Sequence, residues 1–394
     1  MRISDKYYYA NPQIMKGIKN INKEIMTFKE IGIIAPILSA IQEKGYSNPT
    51  EIQKQAIPTI LEGKDLIGCA QTGTGKTGAF AIPLLQLLES RPISKKQPRA
   101  LILVPTRELA IQIDQNLTAY SKNISIDQTV IYGGVSSQKQ ILALRKGVDI
   151  IVATPGRLMD LLGQGHVKLD AIQALVLDEA DNMLDMGFIH DIKRILKLLP
   201  KQRQTLLFSA TMPKEIRKLA DNILNSPVEV NVTPVSSTAE KINQTVFFLE
   251  KKQKVVHLTK ILQKDKNIQT LIFTRTKHGA DRLGKSLGKT GIQAACIHGN
   301  KSQNARQNAL TSFKSGKINV LIATDIAARG IDIKELPRVI NFDLPQDSET
   351  YVHRIGRTGR AGKEGNAISF CSEEEKPLLM KIQKLIGFQI PVTK

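Results

Sequence analysis

The chain has 394 residues, about twice the length of a typical domain, so two domains with separate cores are expected. Hydrophobic residues make up 41% and charged residues 23%, which argues against a disordered chain, while the net charge of +20 favours nucleic acid or an anionic membrane surface as a partner. A basic surface without such a partner is the alternative. No apolar run approaches the ~18 residues that span a bilayer, so we expect no membrane partner. The three cysteines form no CxxC pair, so we expect neither a disulfide framework nor a zinc site, and a cytoplasmic location.

The chain begins with residues 1–25, which carry several lysines and three consecutive tyrosines without clear periodicity. This composition predicts a disordered tail, and an arm that contacts nucleic acid is the alternative. From Met26 onward, short apolar runs alternate with glycine-rich or polar turns and helical patterns, as is typical of strands buried on both faces of a parallel sheet. The first series of predicted strands is Asp65–Gly68, Ala100–Val104, Thr129–Tyr132, Asp149–Ala153, Ala174–Leu177 and Thr205–Phe208.

A second series of predicted strands follows a stretch of small and polar residues. This stretch, residues 233–240, predicts a linker. We therefore predict an α/β fold with two doubly wound parallel-sheet domains in tandem, at residues 26–232 and 241–394, whose ligands bind beyond the carboxyl ends of the strands. The second series is Gln244–Leu249, Thr270–Phe273, Ala294–Ile297, Asn319–Ala323, Val339–Phe342 and Ala367–Phe370.

The sequence AQTGTGKT at Ala70–Thr77 follows a predicted strand and opens a helical pattern, which is the context of a phosphate-binding loop. Gly73 and Gly75 let the backbone wrap around an anion, which the helix N-terminus stabilises. Lys76 is predicted to reach the β- and γ-phosphates of ATP, and Thr77 to hold Mg²⁺ through its hydroxyl. Ala70 stands where the general pattern has glycine. The loop is completed by Gln71, Thr72 and Thr74.

The acidic segment Asp178–Asp181 follows the predicted strand Ala174–Leu177. A carboxylate at the end of a buried strand beside a phosphate loop can coordinate a metal ion, and the next one can orient and deprotonate the attacking water. We therefore assign Asp178 to Mg²⁺ and Glu179 to the water. An acidic helix N-cap is the alternative for the segment alone, and the pairing with the phosphate loop decides against it.

These motifs carry a family resemblance. The segment Asp178–Asp181 reads DEAD, and together with SAT at Ser209–Thr211 and HRIGRTGR at His353–Arg360 it resembles the DEAD-box RNA helicases of superfamily two. The resemblance covers Met26 to Pro391 with the motifs in order, and it implies two RecA-like domains and an RNA-stimulated ATPase. Three segments further resemble the bacterial RhlE subgroup: Arg203–Thr211, Thr274–Arg282 and Ile297–Arg306.

The resemblance implies an adenine site made by Phe28 and by the segment Gly45–Gln53, which includes Tyr46. The carboxamide of Gln53 can donate and accept at once and so match adenine N6 and N7, whereas guanine presents two acceptors there. Glu51 stands where the family commonly has proline, which leaves the local rigidity of the loop open. Taken alone, Phe28 fits a core position, and the resemblance favours contact with the base.

The resemblance also implies that the second domain completes the site. Arg357 and Arg360 match the family's finger arginines, whose planar guanidinium groups suit the charge that develops on the γ-phosphate. Asp332 resembles the contact to the ATP ribose. Hydrogen bonds between the DEAD and SAT segments are expected to couple the ATP state to duplex opening. The predicted coupling residues are Asp181, Ser209, Thr211 and His353.

Loops from both domains are implied to hold the RNA backbone without reading its sequence. Tryptophan is absent and aromatic residues make up 5%, so no base-stacking platform is evident, and selection for RNA is expected to rest on 2′-hydroxyls. The implied contacts are Pro105, Thr106, Arg107, Gly134, Thr154, Pro155, Gly156, Arg157, Thr274, Arg275, Gln303, Arg306, Thr324 and Asp325.

The predicted function is ATP-dependent, local and non-processive unwinding of short RNA duplexes or remodelling of RNA–protein particles. A DNA helicase and an ATP-dependent RNA clamp, in which hydrolysis only times release, are the two alternatives. Lys76, Glu179 and Arg357 favour an enzyme, but clamping and unwinding share these residues. Ribosomal RNA and messenger RNA turnover are expectations at the level of the family. The sequence does not identify the physiological RNA.

Overall fold

The fold was analysed in a computed structural model of the chain. The structure describes residues 26–71, 73–91, 97–232, 242–328, 333, 336–359 and 365–393. The predicted tail at 1–25 and the predicted linker at 233–240 lie outside these residues, as do three predicted site residues, Thr72, Asp332 and Arg360. No helix in the described part of the chain is long and apolar enough to cross a membrane.

The first half of the chain forms a seven-stranded sheet in the order β3-β4-β2-β5-β6-β1-β7, and every neighbouring pair of strands is parallel. All the runs that were predicted here are strands, with ends within two residues of the predicted ones. The strands are β1 Leu66–Ala70, β2 Ala100–Leu103, β3 Gln128–Ile131, β4 Ile150–Ala153, β5 Ala174–Leu177, β6 Gln204–Ser209 and β7 Val228–Val232.

Strand β7 was not predicted. It reads VEVNV, so apolar and polar residues alternate, and among the described strands it pairs only with β1, at the edge of the sheet. Its exposed Glu229 forms an ion pair with Arg217. Alternation is the pattern of a strand with one solvated face, whereas the prediction used continuous apolar runs, which identify strands that are buried on both faces.

Helices cover both faces of the first sheet, which is why its central strands are fully apolar. Phe80 and Phe208 belong to the core on one face, and Met183 and Leu207 belong to the core on the other. The helices are α1 Ala35–Glu43, α2 Glu51–Leu61, α3 Lys76–Glu89, α4 Arg107–Tyr120, α5 Gln138–Lys146, α6 Pro155–Gly163, α7 Ala180–Asp185, α8 Ile189–Leu196 and α9 Lys214–Ile223.

The second half forms a six-stranded parallel sheet in the order β10-β11-β9-β12-β13-β8. Each of its strands was predicted, and helices again cover both faces, with Phe313 and Tyr351 in the cores on one side and Phe370 on the other. The strands are β8 Asn243–Phe248, β9 Thr270–Phe273, β10 Ala294–Ile297, β11 Val320–Ala323, β12 Arg338–Asn341 and β13 Asn366–Cys371. The helices are α10 Lys251–Lys264, α11 Lys277–Lys289, α12 Gln303–Lys314, α13 Asp325–Ala328, α14 Ser348–Ile355 and α15 Lys376–Ile386.

This architecture confirms the predicted fold class of two doubly wound, parallel-sheet α/β domains. It also fixes where polar side chains can meet. Since every strand in a sheet runs in the same direction, the loops after the strands share one edge, and helices begin there with unsatisfied N–H groups. The predicted phosphate loop follows β1, the acidic segment follows β5, and the SAT segment lies at the end of β6.

Candidate functional site

The phosphate loop leaves β1 and enters α3 through two glycines with left-handed backbone angles. Gly73 has φ 91° and Gly75, the N-cap of α3, has φ 98°. A Cβ atom on Gly75 would lie 2.7 Å from Thr50 Oγ1 and 2.8 Å from Gln53 Nε2. Position 75 therefore needs glycine both for its backbone angle and for the close approach of α2.

Lys76 is the clearest sign that the loop is built for an anion. Only 6% of the residue is exposed, and its Nζ atom has no hydrogen-bond partner within the described part of the chain. Its charge interacts with the carboxylates of Asp178 and Asp181, but buried N–H donors without hydrogen bonds are unfavourable, so the position suits a further negatively charged ligand. Gly73, Gly75 and the N-terminus of α3 surround the same position with backbone N–H groups, which fits a phosphate.

Asp178 and Glu179 lie at the end of β5 and are both buried. Burial raises the pKa of Asp178 to about 7, against the opposing effect of Lys76. Glu179 has φ 54°, a left-handed conformation that non-glycine residues rarely adopt, and its Oε2 accepts a hydrogen bond of 3.0 Å from Asn182 Nδ2. Such strain is concentrated at functional sites, where the surrounding fold maintains it.

The donor set next to Lys76 fits Mg²⁺. Carboxylate and hydroxyl oxygens are the ligands that this hard cation prefers. The Asp178 carboxylate and the Thr77 hydroxyl at the start of α3 are donors of this kind. They follow β5 and β1, two strands that are separated by β6 and end at the same edge of the sheet. A cation there would also offset the cost of burying the charge of Asp178.

Asp181 connects the DEAD segment to the SAT segment through one carboxylate oxygen. Its Oδ2 atom accepts hydrogen bonds from Ala210 N at 3.2 Å, Thr211 N at 2.9 Å and Thr211 Oγ1 at 3.0 Å, while its backbone N–H donates to Ser209 Oγ at 3.1 Å. Burial opposes ionisation, but Lys76, His353 and the Thr211 hydrogen bonds outweigh it and lower the pKa of Asp181. The expected link between the two segments is therefore present, and His353 of the second domain acts on it.

The adenine residues are only partly where the sequence analysis expects them. Phe28 is 1% exposed and packs in the core of the first domain, so its ring cannot stack on a base in this conformation, and the prediction that it does is not supported. Its burial contributes roughly 2–3 kcal/mol of stability, which explains the core position. Tyr46, 42% exposed, is the accessible aromatic residue of the predicted set.

Gln53 joins α2 to the phosphate loop. Its Oε1 accepts from Thr50 N at 2.9 Å, as part of a capping box, and its Nε2 donates to Gly75 O at 3.0 Å. One lone pair and one N–H remain for a base. Glu51 is the first residue of α2, a position that suits an acidic side chain, so the loop is well formed without proline.

The second domain presents α14 and the residues after it towards the first domain. His353 lies in the last turn of α14 and interacts electrostatically with Asp181, so Arg357, which follows two residues after the helix, is on the same side. Arg354 is buried and donates two hydrogen bonds to Asp325, at 2.6 and 2.8 Å. The carboxylate of Asp325, predicted to contact RNA, is thus bound by an arginine of its own domain.

Four side chains form a contact between the two domains. Glu108 Oε1 lies 3.0 Å from Arg306 of α12 and accepts a hydrogen bond of 3.1 Å from Gln303 Nε2. Arg107 donates a hydrogen bond of 3.4 Å to Gln303 Oε1. A Cβ atom on Gly134 would lie 2.0 Å from Arg107 Nη1, so glycine leaves the space that this guanidinium group occupies. Residues predicted to bind RNA therefore also contact each other across the cleft.

Several predicted RNA contacts are buried, so their side chains shape the loops rather than face a ligand. Thr274 is fully buried, and Thr106 caps α4 by accepting a hydrogen bond from Leu109 N. Partly exposed or exposed positions are Arg107, Gly134, Gly156, Arg157, Arg275, Gln303, Arg306, Thr324 and Asp325, whereas Pro105, Thr106, Thr154, Pro155 and Thr274 are buried. The predicted contacts gather at the N-termini of α4, α6, α12 and α13, which suit phosphate groups.

Two functional side chains were not singled out by the sequence analysis. Glu108 lies inside a loop that was predicted to contact RNA, and Arg354 lies inside the HRIGRTGR segment. Each is a charged residue that the structure buries against an opposite charge. Their partners, Arg306 and Asp325, are distant in sequence, so no local pattern could pair them.

Comparison with known proteins agrees with this site. The model of the DEAD/DEAH box helicase family matches residues 50–219, and that of the helicase conserved C-terminal domain matches residues 250–362. The ATP-dependent RNA helicase CshA of Listeria monocytogenes is 44% identical over 91% of this chain and 68% of its own length. The ATP-dependent RNA helicase dbp2 of Aspergillus clavatus is 42% identical over 94% of this chain and 68% of its own length.

Solved structures of other proteins resemble this chain over most of its length. Dbp5 of S. cerevisiae bound to RNA and ADP BeF3 has a TM-score of 0.84 at 32% identity, covering 93% of this chain and 95% of Dbp5. A DEAD box protein from Methanococcus jannaschii has a TM-score of 0.54 at 40% identity, covering 94% and 99%. Of these two proteins, the one with the more similar sequence has the lower TM-score. With a phosphate loop, a DEAD segment and a cross-domain contact in one cleft, and with both family models matched in order, the chain belongs to the DEAD-box family of ATP-dependent RNA helicases.

Proposed function

We propose that the chain hydrolyses ATP in the cleft between its two domains and uses closure of that cleft to separate short RNA duplexes locally. The observation that carries the proposal is the buried Nζ of Lys76, which lacks a partner in the described residues and lies in the same cleft as Asp178 and Asp181. An ammonium group held in that position is suited to the β- and γ-phosphates. RNA–protein remodelling by the same closure is part of the proposal.

Hydrolysis in this proposal depends on four side chains of known position. Lys76 binds the phosphates, and Glu179 orients the attacking water and accepts its proton. Its strained backbone and the hydrogen bond from Asn182 hold the Glu179 carboxylate in one place. Asp178 and Thr77 would hold Mg²⁺, which supplies charge neutralisation for the phosphates when bound.

The second domain contributes positive charge to the reaction. Arg357, with Arg360 beyond the described residues, is proposed to stabilise the charge that develops as the γ-phosphate leaves ADP. Asp332, also outside the described residues, is proposed to contact the ribose. The adenine is proposed to be read by Gln53 and bordered by Tyr46. No single domain holds all of these groups, so hydrolysis requires closure.

Closure also forms the RNA site. The contact of Arg107 and Glu108 with Gln303 and Arg306 joins loops that lie at the carboxyl ends of both sheets. A single strand held by such loops through phosphates and 2′-hydroxyls is bound without regard to base sequence. Because the closed form selects a strand conformation, ATP binding favours strand separation only over the length of the cleft.

The Asp181 network links the two events. ATP contacts Lys76, Lys76 and His353 both act on Asp181, and Asp181 is bonded to Ala210 and Thr211. A change in the phosphate site therefore reaches the SAT segment through one carboxylate. The RhlE subgroup, a cytoplasmic location, and ribosomal RNA or RNA decay as the cellular setting stay predictions.

The test is the steady-state ATPase rate with no nucleic acid, with RNA, and with DNA of the same sequence. We expect stimulation by RNA and little by DNA, and loss of all activity in Lys76→Ala. Equal stimulation by DNA would favour the DNA helicase alternative. RNA-stimulated hydrolysis that accompanies RNA release, without separation of a short duplex, would favour the RNA clamp alternative.

A further inference from the structure

The positive charge of this protein is concentrated on two neighbouring helices that the candidate site does not use. Helix α10 and helix α11, of 14 and 13 residues, contain nine lysines and arginines and one carboxylate, Asp281. Their net charge of +8 is two-fifths of the chain's +20. Residues 26–232, by contrast, contain 24 lysines and arginines and 20 aspartates and glutamates.

The two helices lie side by side on one face of the second sheet. Leu258 and Leu262 of α10 and Leu283 and Leu287 of α11 pack in the same core, so the charged residues lie on the opposite, outer side. Apart from Lys254, every lysine and arginine of the two helices is exposed. This outer side of α10 and α11 is the basic surface.

The charges on α11 form one stripe. Arg282, Lys285 and Lys289 are spaced by three and four residues, so they lie on one side of the helix, about 4.5 and 6 Å apart along its axis. Charges of the same sign at these spacings repel each other and weaken the helix. The stripe is therefore not a device for stability, and within the described residues none of its three members forms an ion pair.

The beginning of α10 carries two further lysines. Lys251 and Lys252 occupy its first turn, where they form exposed ion pairs with Glu374 at 2.6 Å and with the N-cap residue Glu250 at 3.0 Å. Such exposed pairs are weak and screened by salt, so both lysines stay accessible to a polyanion. A polyanion bound along α11 would offset the repulsion within the stripe, because its charge opposes that of all three members. A row of phosphates is an anion of that form.

The basic surface is continuous with the edge that carries the candidate site. A groove of about 450 Å³ runs between the first turns of α10 and α11, with Lys251 and Arg282 on its rim and Arg275 at its end. Arg275 follows β9 and belongs to the predicted RNA contacts, so one side chain borders both places. The acidic residues of the groove already have partners. Glu374 pairs with Lys251, Glu375 pairs with Lys254 and Arg275, and Asp343 accepts a hydrogen bond from Arg275 N.

We propose that the outer side of α10 and α11 is a second RNA-binding surface, which holds the duplex that flanks the strand in the cleft by its phosphates. The stripe from Arg282 to Lys289 is about 10 Å long, which corresponds to about three base pairs. The proposal rests on the proposed function, which supplies the strand in the cleft. Phosphate contacts there tether the substrate while the cleft opens and closes, without selecting its sequence.

The test compares wild type with the triple variant Arg282→Gln, Lys285→Gln, Lys289→Gln on two RNAs. One RNA is a short single strand that fills the cleft, and the other carries the same strand next to about ten base pairs of duplex, which is longer than the stripe. The matched control is Lys193→Gln, Lys197→Gln, Lys201→Gln, which removes the same charge from exposed positions on and just after α8 of the first domain. Binding is measured without nucleotide at several salt concentrations, and ATPase with the short RNA.

We expect the triple variant to lose affinity only for the flanked RNA. The slope of log affinity against log salt concentration should be shallower by about 2–3 than that of wild type. The ratio of wild-type to variant affinity should therefore fall roughly 30-fold between 50 and 200 mM salt. The control variant should keep the wild-type slope. Equal slopes for all three proteins, with normal RNA-stimulated ATPase, would overturn this inference alone. Wild-type protein without RNA affinity would overturn the proposed function as well.

Two further outcomes would also overturn the proposal that the basic surface binds RNA. Loss of short-RNA ATPase in the triple variant, but not in the control, would place the stripe in the cleft's own machinery. Loss of binding to phosphatidylserine vesicles, with flanked-RNA affinity unchanged, would make the basic surface a membrane contact. A circular dichroism spectrum equal to that of wild type establishes that α11 has kept its helix in the triple variant.

Discussion

Removing the carboxylate of Glu108 should prevent stable closure while leaving each domain folded. Glu108 is largely buried. Its carboxylate forms an ion pair with Arg306 at 3.0 Å and accepts a hydrogen bond of 3.1 Å from Gln303, both in the other domain. A hydrogen bond to a charged group contributes about 1.5–3 kcal/mol, and removing one partner of a buried pair costs about 3–5 kcal/mol. Because Arg306 keeps some exposure, we expect Glu108→Ala to destabilise the closed form by about 2–4 kcal/mol.

This destabilisation of the closed form should be measurable as a loss of RNA affinity. About 1.4 kcal/mol corresponds to a factor of ten, so RNA affinity with a non-hydrolysable ATP analogue should fall about 30- to 1,000-fold. Affinity without nucleotide should change less, because in the proposed function it is ATP binding that favours the closed form in which the two domains meet. The measurement is fluorescence anisotropy of labelled RNA with and without the analogue, together with thermal unfolding.

The control for this prediction is Glu43→Ala. Glu43 forms an exposed ion pair with Lys122 within the first domain, and such pairs contribute about 0–1 kcal/mol. It should therefore leave nucleotide-dependent RNA binding unchanged. The reasoning is wrong if Glu108→Ala binds RNA normally with the analogue, or if it lowers the melting temperature enough to explain the lost affinity.

Three further predictions concern the ATP site. Glu179→Gln should bind ATP but hydrolyse it at least ~10² more slowly and accumulate on RNA, and near-normal turnover would remove Glu179 from the reaction. Arg357→Ala should lower the hydrolysis rate by ~10³–10⁵ while nucleotide binding and the salt dependence of nucleotide-free RNA binding stay unchanged. A shallower salt dependence of RNA binding, with intact RNA-independent ATPase, would instead make Arg357 an RNA contact. Gly75→Ala should weaken ATP binding and lower stability by about 1–3 kcal/mol, because of its φ of 98° and the 2.7 Å approach to Thr50. Its control is Gly63→Ala, which has a φ of 78° with nothing within 4 Å, and an equal ATP-binding defect in both would show that the close approach is unimportant.

The strands were predictable because their burial is recorded locally in the sequence. Runs such as Ala174–Leu177 are apolar at every position, since helices cover both faces of the sheet. The edge strand Val228–Val232 has one solvated face and escaped the same criterion. The phosphate loop and the DEAD segment were predictable for another reason, because glycine, lysine and carboxylates at fixed spacings after a strand have few other uses.

The contacts that depend on distant residues were not predictable in this way. Nothing near Glu108 in the sequence indicates that Arg306 will face it, because the pairing exists only when the domains close. Phe28 shows the opposite error. An aromatic ring can bind a base or fill a core, and the sequence does not reveal which, since both uses need the same side chain.

The Lys76 ammonium, which has no hydrogen-bond partner among the described residues, has a consequence for the lifetime of the protein. Any ligand that binds only the folded state stabilises it, by about 2.7 kcal/mol when its concentration is a hundred times its dissociation constant. Nucleotide that satisfies Lys76 therefore protects the first domain from proteases as well as fuelling the reaction. When a cell's supply of adenine nucleotides falls, this protein should be degraded faster, and its abundance should follow the energy state of the cell.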